Sequence, residues 1–121
     1  MTSSTKSILF VLRSAPYSSF APLEALDAVL VAGAFEQQVS VLFKDDGVWQ
    51  LLKNQDISVG RQSIGKAIQG LPEYEVVEIY VCRRSLYQRN LSPADLVLPT
   101  NQLSSSEQRE LIASQDAVIA D

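Results

Sequence analysis

Cys82 is the residue of this sequence whose position most directly suggests chemistry. It follows the apolar run Val76–Val81 and precedes Arg83 and Arg84. The run predicts a strand, and in open α/β sheets reactive groups collect where strands end. A helix that begins just after Cys82, together with the two arginines, would favour the thiolate form. Such a thiolate can attack a sulfane sulfur donor and carry the sulfur as a persulfide.

The structural alternative for Cys82 is a buried side chain that acts as a small hydrophobe. Cys82 is the only cysteine, so the chain has no intramolecular disulfide, no CxxC pair and no cysteine-only metal cage. This usage is typical of a reducing compartment. Because no second thiol can resolve an intermediate, any persulfide would pass to another protein.

The segment Gly60–Ala67 nearly matches the phosphate-binding loop GxxxxGK[ST]. Ala67 stands where that loop needs a hydroxyl for magnesium, and Gln55–Val59 is a weak strand candidate. The pattern therefore favours a helix with two tolerated glycines over a nucleotide site, and no cofactor is expected.

Two adjacent carboxylates, Asp45 and Asp46, precede Gly47. They could supply oxygen ligands to a hard cation, which needs several of them. A turn is the simpler interpretation of Asp-Asp-Gly. We expect no metal site.

Composition narrows the functional classes further. The 121 residues include no histidine, which excludes Ser-His and Cys-His dyads and histidine-ligated zinc. The formal charge is −4, and the only adjacent basic pair is Arg83-Arg84, so direct binding of nucleic acid is not expected. The longest apolar stretch, Ala28–Phe35, is far shorter than the ~20 residues of a membrane span. With no signal-peptide pattern at Met1–Ser7, a cytoplasmic protein is predicted.

Strand-like and helix-like segments alternate along the chain, which predicts one α/β domain, residues 1–121, with a mostly parallel sheet. The predicted strands are Ile8–Leu12, Val39–Phe43, Val76–Val81, Leu96–Leu98 and Ala117–Ala120. The predicted helices are Pro22–Glu36, a weaker one over Arg61–Gln69, a short one from about Arg83 to Asn90, and Ser105–Ser114 after a capping box of Ser104 and Glu107.

The helix Pro22–Glu36 and the segment Val48–Leu52 carry more apolar residues than one face needs. They could fill the core, or they could contact a partner subunit, because aromatic residues are enriched in interface cores. The candidate interface residues are Leu23, Leu26, Leu30, Val48, Trp49 and Leu52.

Several segments share their order and spacing with one known family. They are Ile8–Leu12 with Ser14–Pro16, Leu23–Leu30, Asp46–Leu52, Val81–Cys82 with Ser85–Leu86, and Asp116–Ile119. The sequence thus resembles the DsrF/TusC family of the DsrE/DsrF-like sulfur-relay superfamily over nearly its whole length. Asp46–Leu52 is the most specific of these elements.

The resemblance implies a three-layer α/β/α sandwich around a mostly parallel sheet of about five strands. It implies a dimer of heterotrimers with TusB/DsrH-like and TusD/DsrE-like subunits. Such a complex accepts persulfide sulfur from a TusA-like donor and passes it through a TusE-like acceptor toward 2-thiolation of tRNA wobble uridine. In the alternative, DsrF-type setting it serves dissimilatory sulfur oxidation. The subunit resembled here is mainly architectural, so Cys82 is a candidate persulfide carrier only.

Overall fold

The computed structural model of the chain describes residues 6–16, 21–35, 37–53, 58–59, 62–63, 68–74, 76 and 78–121. Its strands are β1 (Ser7–Leu12), β2 (Gln38–Phe43), β3 (Ser58–Val59), β4 (Gln62–Ser63), β5 (Glu78–Cys82), β6 (Asn101–Leu103) and β7 (Ala117–Ala120). Its α-helices include α1 (Ala21–Ala34), α2 (Arg83–Gln88) and α3 (Ser105–Ala113), and 3-10 helices cover Asp45–Leu51, Leu71–Tyr74 and Pro93–Asp95.

The main sheet has five strands in the order β6-β5-β2-β1-β7, and every neighbouring pair is parallel. The predicted α/β class with a parallel sheet is therefore confirmed. β1 is a continuous apolar run from Ile8 onward, and β2 is apolar except for Gln38 and Ser40, as is usual for strands that helices cover on both faces. Parallel strands end at the same edge of the sheet, which is where Cys82, the last residue of β5, lies.

Alternate side chains of β1 divide the interior into two layers. Phe10 and Leu12 belong to the larger core, which includes Leu26 of α1. Leu9 and Val11 face the other side, where Leu111 of α3 packs against their smaller cluster. The sheet thus lies between two helical layers, as a three-layer sandwich requires.

The exposed edge strand β7 is fixed to β1 at both ends by aspartates. The Asp116 carboxylate accepts hydrogen bonds from the backbone N–H of Ser7 at 2.8 Å and from its hydroxyl at 3.1 Å. The Asp121 carboxylate accepts from the backbone N–H of Arg13 at 2.7 Å and of Ser14 at 3.3 Å. These contacts hold a strand whose four residues are all exposed.

The prediction of a strand at Leu96–Leu98 is wrong. The backbone there pairs outside the main sheet: Leu96 forms an antiparallel bridge with Leu52, and the N–H of Val97 donates to the carbonyl of Leu51 at 2.8 Å. The fifth strand is the polar β6. It lies at the sheet edge with one neighbour, so burial does not require it to be apolar.

The prediction of a helix over Arg61–Gln69 is wrong in its first part. Gln62–Ser63 is the strand β4, which pairs antiparallel with β3, and helix is present at 68–69. Val59 pairs with Gln62, and Ser58 pairs with Ser63.

The remaining predicted helices match the structure closely. The capping box before α3 is confirmed: the Ser104 hydroxyl accepts from the N–H of Glu107 at 3.3 Å, and the Glu107 carboxylate accepts from the N–H of Ser104 at 2.9 Å. The helix predicted over Pro22–Glu36 is α1. In the described ranges, no helix combines the length and the apolar character needed to cross a bilayer.

Candidate functional site

Cys82 lies at the carboxyl end of β5 and is the N-cap residue of α2. Its side chain is 5% exposed and forms no disulfide. It lines a cavity of about 410 Å³ that collects residues from three parts of the fold. Lys44 and Asp45 follow β2, Arg84 and Ser85 belong to α2, and α3 supplies Ser105, Gln108, Arg109 and Ile112.

The cavity wall is cationic. Lys44, Arg84 and Arg109 line it, against one carboxylate, Asp45. The ion pair found among the described residues joins Arg89 to Asp46, at 2.9 Å. None of the three cavity cations has a carboxylate of the described residues in salt-bridge contact. The walls therefore favour an anion over a cation.

The structure separates the two arginines that the sequence places beside Cys82. Arg84 lines the cavity. Arg83 instead donates a hydrogen bond from its guanidinium to the carbonyl oxygen of Gln102, at 3.5 Å. The pKa of the exposed Glu107 is lowered mainly by hydrogen bonds from Ser104, and the charge of Arg83 lowers it further. Of the two arginines, only Arg84 shares the cavity with the thiol, and it lowers the pKa of Cys82 through its backbone rather than through its charge.

The surroundings of Cys82 favour its ionised form. Burial raises the pKa of the Cys82 thiol, but hydrogen bonds from the side chains of Ser85 and Gln108, and from the backbone at Ser85 and Arg84, together hold the pKa below its ordinary value. A lower pKa increases the fraction of thiolate, which is the nucleophile in sulfur exchange.

The two side chains that support the thiol are themselves held in place. Ser85 is 2% exposed, and its hydroxyl oxygen accepts a hydrogen bond from the N–H of Asp45 at 2.9 Å. Gln108 is 4% exposed, and its Nε2 donates to the carbonyl of Leu103 at 3.1 Å. The hydroxyl proton of Ser85 and the second amide proton of Gln108 remain for the sulfur.

A tight turn after β2 sets the position of Asp45. Asp45 has φ 52°, a left-handed conformation that is uncommon outside glycine but tolerated by aspartate. Gly47 then passes directly against the end of β1: a Cβ there would lie 2.0 Å from the carbonyl oxygen of Leu12. The predicted turn at Asp45–Gly47 is thus the first part of a 3-10 helix that runs to Leu51.

Sequence reasoning placed Cys82 and Arg84 at the site, named Asp45 only as a turn residue or cation ligand, and did not connect the remaining cavity residues with Cys82. Lys44 had a usable signal, since it directly follows β2 and so ends at the same sheet edge as Cys82. Gln108 and Arg109 had none, because they reach the site through the crossover from β6 to β7.

The other motifs do not form a site in the described residues. Most of Gly60–Ala67 lies outside them. No group of three or more potential ligands that could hold a metal ion occurs in the described part of the chain. Asp46 pairs with Arg89, and Asp45 lies among cations, so the two carboxylates do not act together.

The predicted interface residues fall into two groups. Leu26 and Val48 are 0% exposed and belong to the core of the chain itself, so they cannot reach a partner without unfolding. Leu30, Trp49 and Leu52 are half-buried, while the side chain of Leu23 lies outside the described residues. The exposed apolar residues of this region are Val31, 56% exposed, and Phe35, 72% exposed.

Known proteins with similar sequences span most of the chain. It is 43% identical over 98 residues to the intracellular sulfur oxidation protein DsrF of Allochromatium vinosum, covering 80% of this chain and 72% of that protein. It is 35% identical over 116 residues to a TusC homolog of Pseudomonas aeruginosa, covering 95% and 98%. A TusC homolog of Vibrio parahaemolyticus is 36% identical over 104 residues, with 85% and 88% covered.

Solved structures show the same fold. The YchN protein of E. coli superimposes with a TM-score of 0.85 at 20% identity, covering 97% of this chain and all of that one. The sequence pattern of the DsrE/DsrF-like family matches residues 6–120. The resemblance seen in the sequence is confirmed, and the chain belongs to the DsrE/DsrF-like family.

Proposed function

We propose that this chain is a subunit of a cytoplasmic, hetero-oligomeric sulfur-relay complex of the TusBCD type and that its part there is mainly architectural. The complex accepts persulfide sulfur from a TusA-like donor and passes it through a TusE-like acceptor for 2-thiolation of tRNA wobble uridine. The observation that carries the proposal is the similarity to a TusC homolog across 95% of this chain and 98% of that protein. The free thiol of Cys82 is compatible with a reducing compartment.

The surface of α1 supports assembly with related subunits, which we propose to be TusB/DsrH-like and TusD/DsrE-like chains in a dimer of heterotrimers. Val31 lies on α1 and Phe35 directly follows it; the N–H of Phe35 donates to the carbonyl of Val31 at 3.2 Å, so the helical spacing continues and puts the two residues on one side. Large apolar side chains exposed together are a usual feature of protein–protein interfaces. Leu30 and Trp49 are half-buried in the chain itself and are further interface candidates.

The assembly is tested by purifying the tagged chain from its native cells and identifying the companion chains by mass spectrometry. The wild-type chain should bring TusB-like and TusD-like proteins with it, and Phe35→Ser with Val31→Ser should not. Tyr87→Ser is the control, because Tyr87 is 84% exposed on α2. If the double variant still brings all companion chains with it, α1 is not part of the interface.

The pathway is tested by deleting the gene and measuring 2-thiouridine in total tRNA. We expect its loss, with recovery when the gene is restored. The 43% identity to DsrF favours a second candidate, dissimilatory sulfur oxidation. In that case tRNA thiolation stays normal and oxidation of stored sulfur stops.

A persulfide-carrying role for Cys82 is a further candidate, and the cavity favours it. Its thiol lines a cationic space and has a lowered pKa. Incubation of the complex with a persulfidated TusA-like donor should add one sulfur atom to this chain, and Cys82→Ser should abolish the addition. Full tRNA thiolation in cells with Cys82→Ser would leave the chain with an architectural role alone.

A further inference from the structure

The charges in the cavity beside Cys82 exceed what the fold needs. Lys44, Arg84 and Arg109 line the same cavity, and like charges brought to one place repel one another. The described residues show no carboxylate in salt-bridge contact with any of the three. An anionic ligand would supply the missing charge.

We infer that this cavity binds a small dianionic sulfur oxyanion with a terminal sulfane sulfur, of which thiosulfate is the simplest, and presents that sulfur to Cys82. The inference rests on the proposed role of Cys82 as a persulfide carrier and adds the substrate class. Three cations against one carboxylate leave an excess of two positive charges, and one remains when Cys82 is a thiolate, so the cavity still attracts a small anion. Arginine forks are suited to oxyanions, because they donate two parallel hydrogen bonds.

Buried polar groups complete the site. Ser85 and Gln108 are at least nine-tenths buried, and both line the cavity beside the thiol. The volume of about 410 Å³ lies near the small end of ligand pockets, which span ~300–1,000 Å³. It accommodates a small ion with some of its water. The apolar side chain of Ile112 also lines the cavity.

The chemical step needs no outside oxidant or reductant. The Cys82 thiolate attacks the sulfane sulfur, a new S–S bond forms to Cys82, and the S–S bond of thiosulfate breaks. Sulfite leaves with the electron pair of the broken bond, and Cys82 is left as a persulfide anion. Total charge is unchanged, and the cations stabilise the negative charge that builds on the departing sulfite.

The inference is tested on the full chain, in its complex where one is purified, by intact-mass measurement after incubation with thiosulfate. We expect one added sulfur on this chain and one sulfite released for each. Sulfate, which has the same charge but no sulfane sulfur, should compete. Arg109→Gln and Lys44→Gln should each slow labelling by about tenfold, the effect of losing one charge-assisted hydrogen bond.

Arg83→Gln is the matched control, because Arg83 adjoins Cys82 in sequence but contacts Gln102 outside the cavity. It should label at the wild-type rate. An equal decrease in the labelling rate for Arg83→Gln and Arg109→Gln would show that only the overall charge matters, and it would refute the proposed binding site. A second arm uses glutathione persulfide, and labelling by it without labelling by thiosulfate would overturn the oxyanion assignment.

Failure of this inference is distinguishable from failure of the proposed function. If thiosulfate never labels Cys82 while a persulfidated TusA-like donor does, the oxyanion site is refuted and the relay role stands. If neither donor labels it and tRNA thiolation persists with Cys82→Ser, both roles of Cys82 are refuted and the architectural role remains.

Discussion

Replacement of Gly47 by alanine should damage both the stability and the site. The new Cβ would lie 2.0 Å from the carbonyl oxygen of Leu12 and 2.7 Å from its carbonyl carbon, where ordinary contacts are about 3.5 Å. The obstacle is backbone in β1, which is bonded to strands on both sides, so it cannot rotate away. The segment that begins at Asp45 must move by more than about 1 Å.

The expected cost follows from that geometry. Overpacked interiors lose ~1–3 kcal/mol, and a rigid backbone contact belongs at the upper end, so we expect a loss of about 3 kcal/mol. At roughly 4 °C per kcal/mol for a domain of this size, the melting temperature should fall by about 12 °C. Urea denaturation measures the free energy of unfolding, and a thermal scan measures the melting temperature.

The same variant should also change the chemistry of Cys82. Movement of the turn separates the N–H of Asp45 from the Ser85 hydroxyl, which then supports the thiolate less well. Alkylation of Cys82 by iodoacetamide near neutral pH should therefore slow. Lys53→Ala, an exposed position two residues beyond the 3-10 helix, is the control and should stay within ~0.5 kcal/mol of wild type. A Gly47→Ala protein as stable as this control would refute the close-contact argument.

Three further changes test separate elements of the fold. Leu26→Ala removes a 0% exposed core side chain and should cost ~2–5 kcal/mol in urea denaturation; a smaller loss would show that the site collapses or is loosely packed. Ser104→Ala removes the cap of α3 and should cost about 1 kcal/mol, and no change would mean that the cap is redundant. Asp116→Asn tests pH dependence: hydrogen bonds from the backbone and hydroxyl of Ser7 lower the pKa of Asp116, so its contribution is present above the unfolded pKa and disappears as the pH falls through the lower folded value. The stability difference between wild type and Asp116→Asn should therefore shrink on acidification, and a constant difference would contradict the assignment.

The elements that sequence reasoning predicted well are those whose own residues determine them. β1 and β2 are short, mostly apolar segments between polar ones, and such segments suit strands buried on both faces. The cap of α3 is equally local, because Ser104 and Glu107 satisfy each other within one turn.

The errors came where a distant partner decides the structure. Leu96–Leu98 has the composition of a strand, yet its backbone bonds to Leu51 and forms a bridge with Leu52 rather than joining the sheet. β6 is polar and gives no local strand signal, but it pairs with β5. Leu26 and Val48 were open to a core or an interface role, and packing against the sheet places them in the core.

The candidate site was predictable only in part for the same reason. A cysteine at the end of an apolar run is visible in the sequence, but the convergence of Lys44 and Arg109 on it requires the strand order. The order β6-β5-β2-β1-β7 brings the residue after β2 beside the residue that ends β5. α3 lies in the crossover from β6 to β7, and its residues line the same cavity as Lys44 and Cys82.

The pairing of β7 with β1 has a consequence for biosynthesis. The aspartate at the start of β7 bonds to Ser7, 109 positions earlier in the chain. At ~5–20 residues per second, a ribosome makes β7 roughly 5–20 s after β1. During that interval β1 exposes an unpaired apolar edge, which is the kind of edge that recruits foreign strands. We therefore expect the folding rate to be limited by this late, long-range closure.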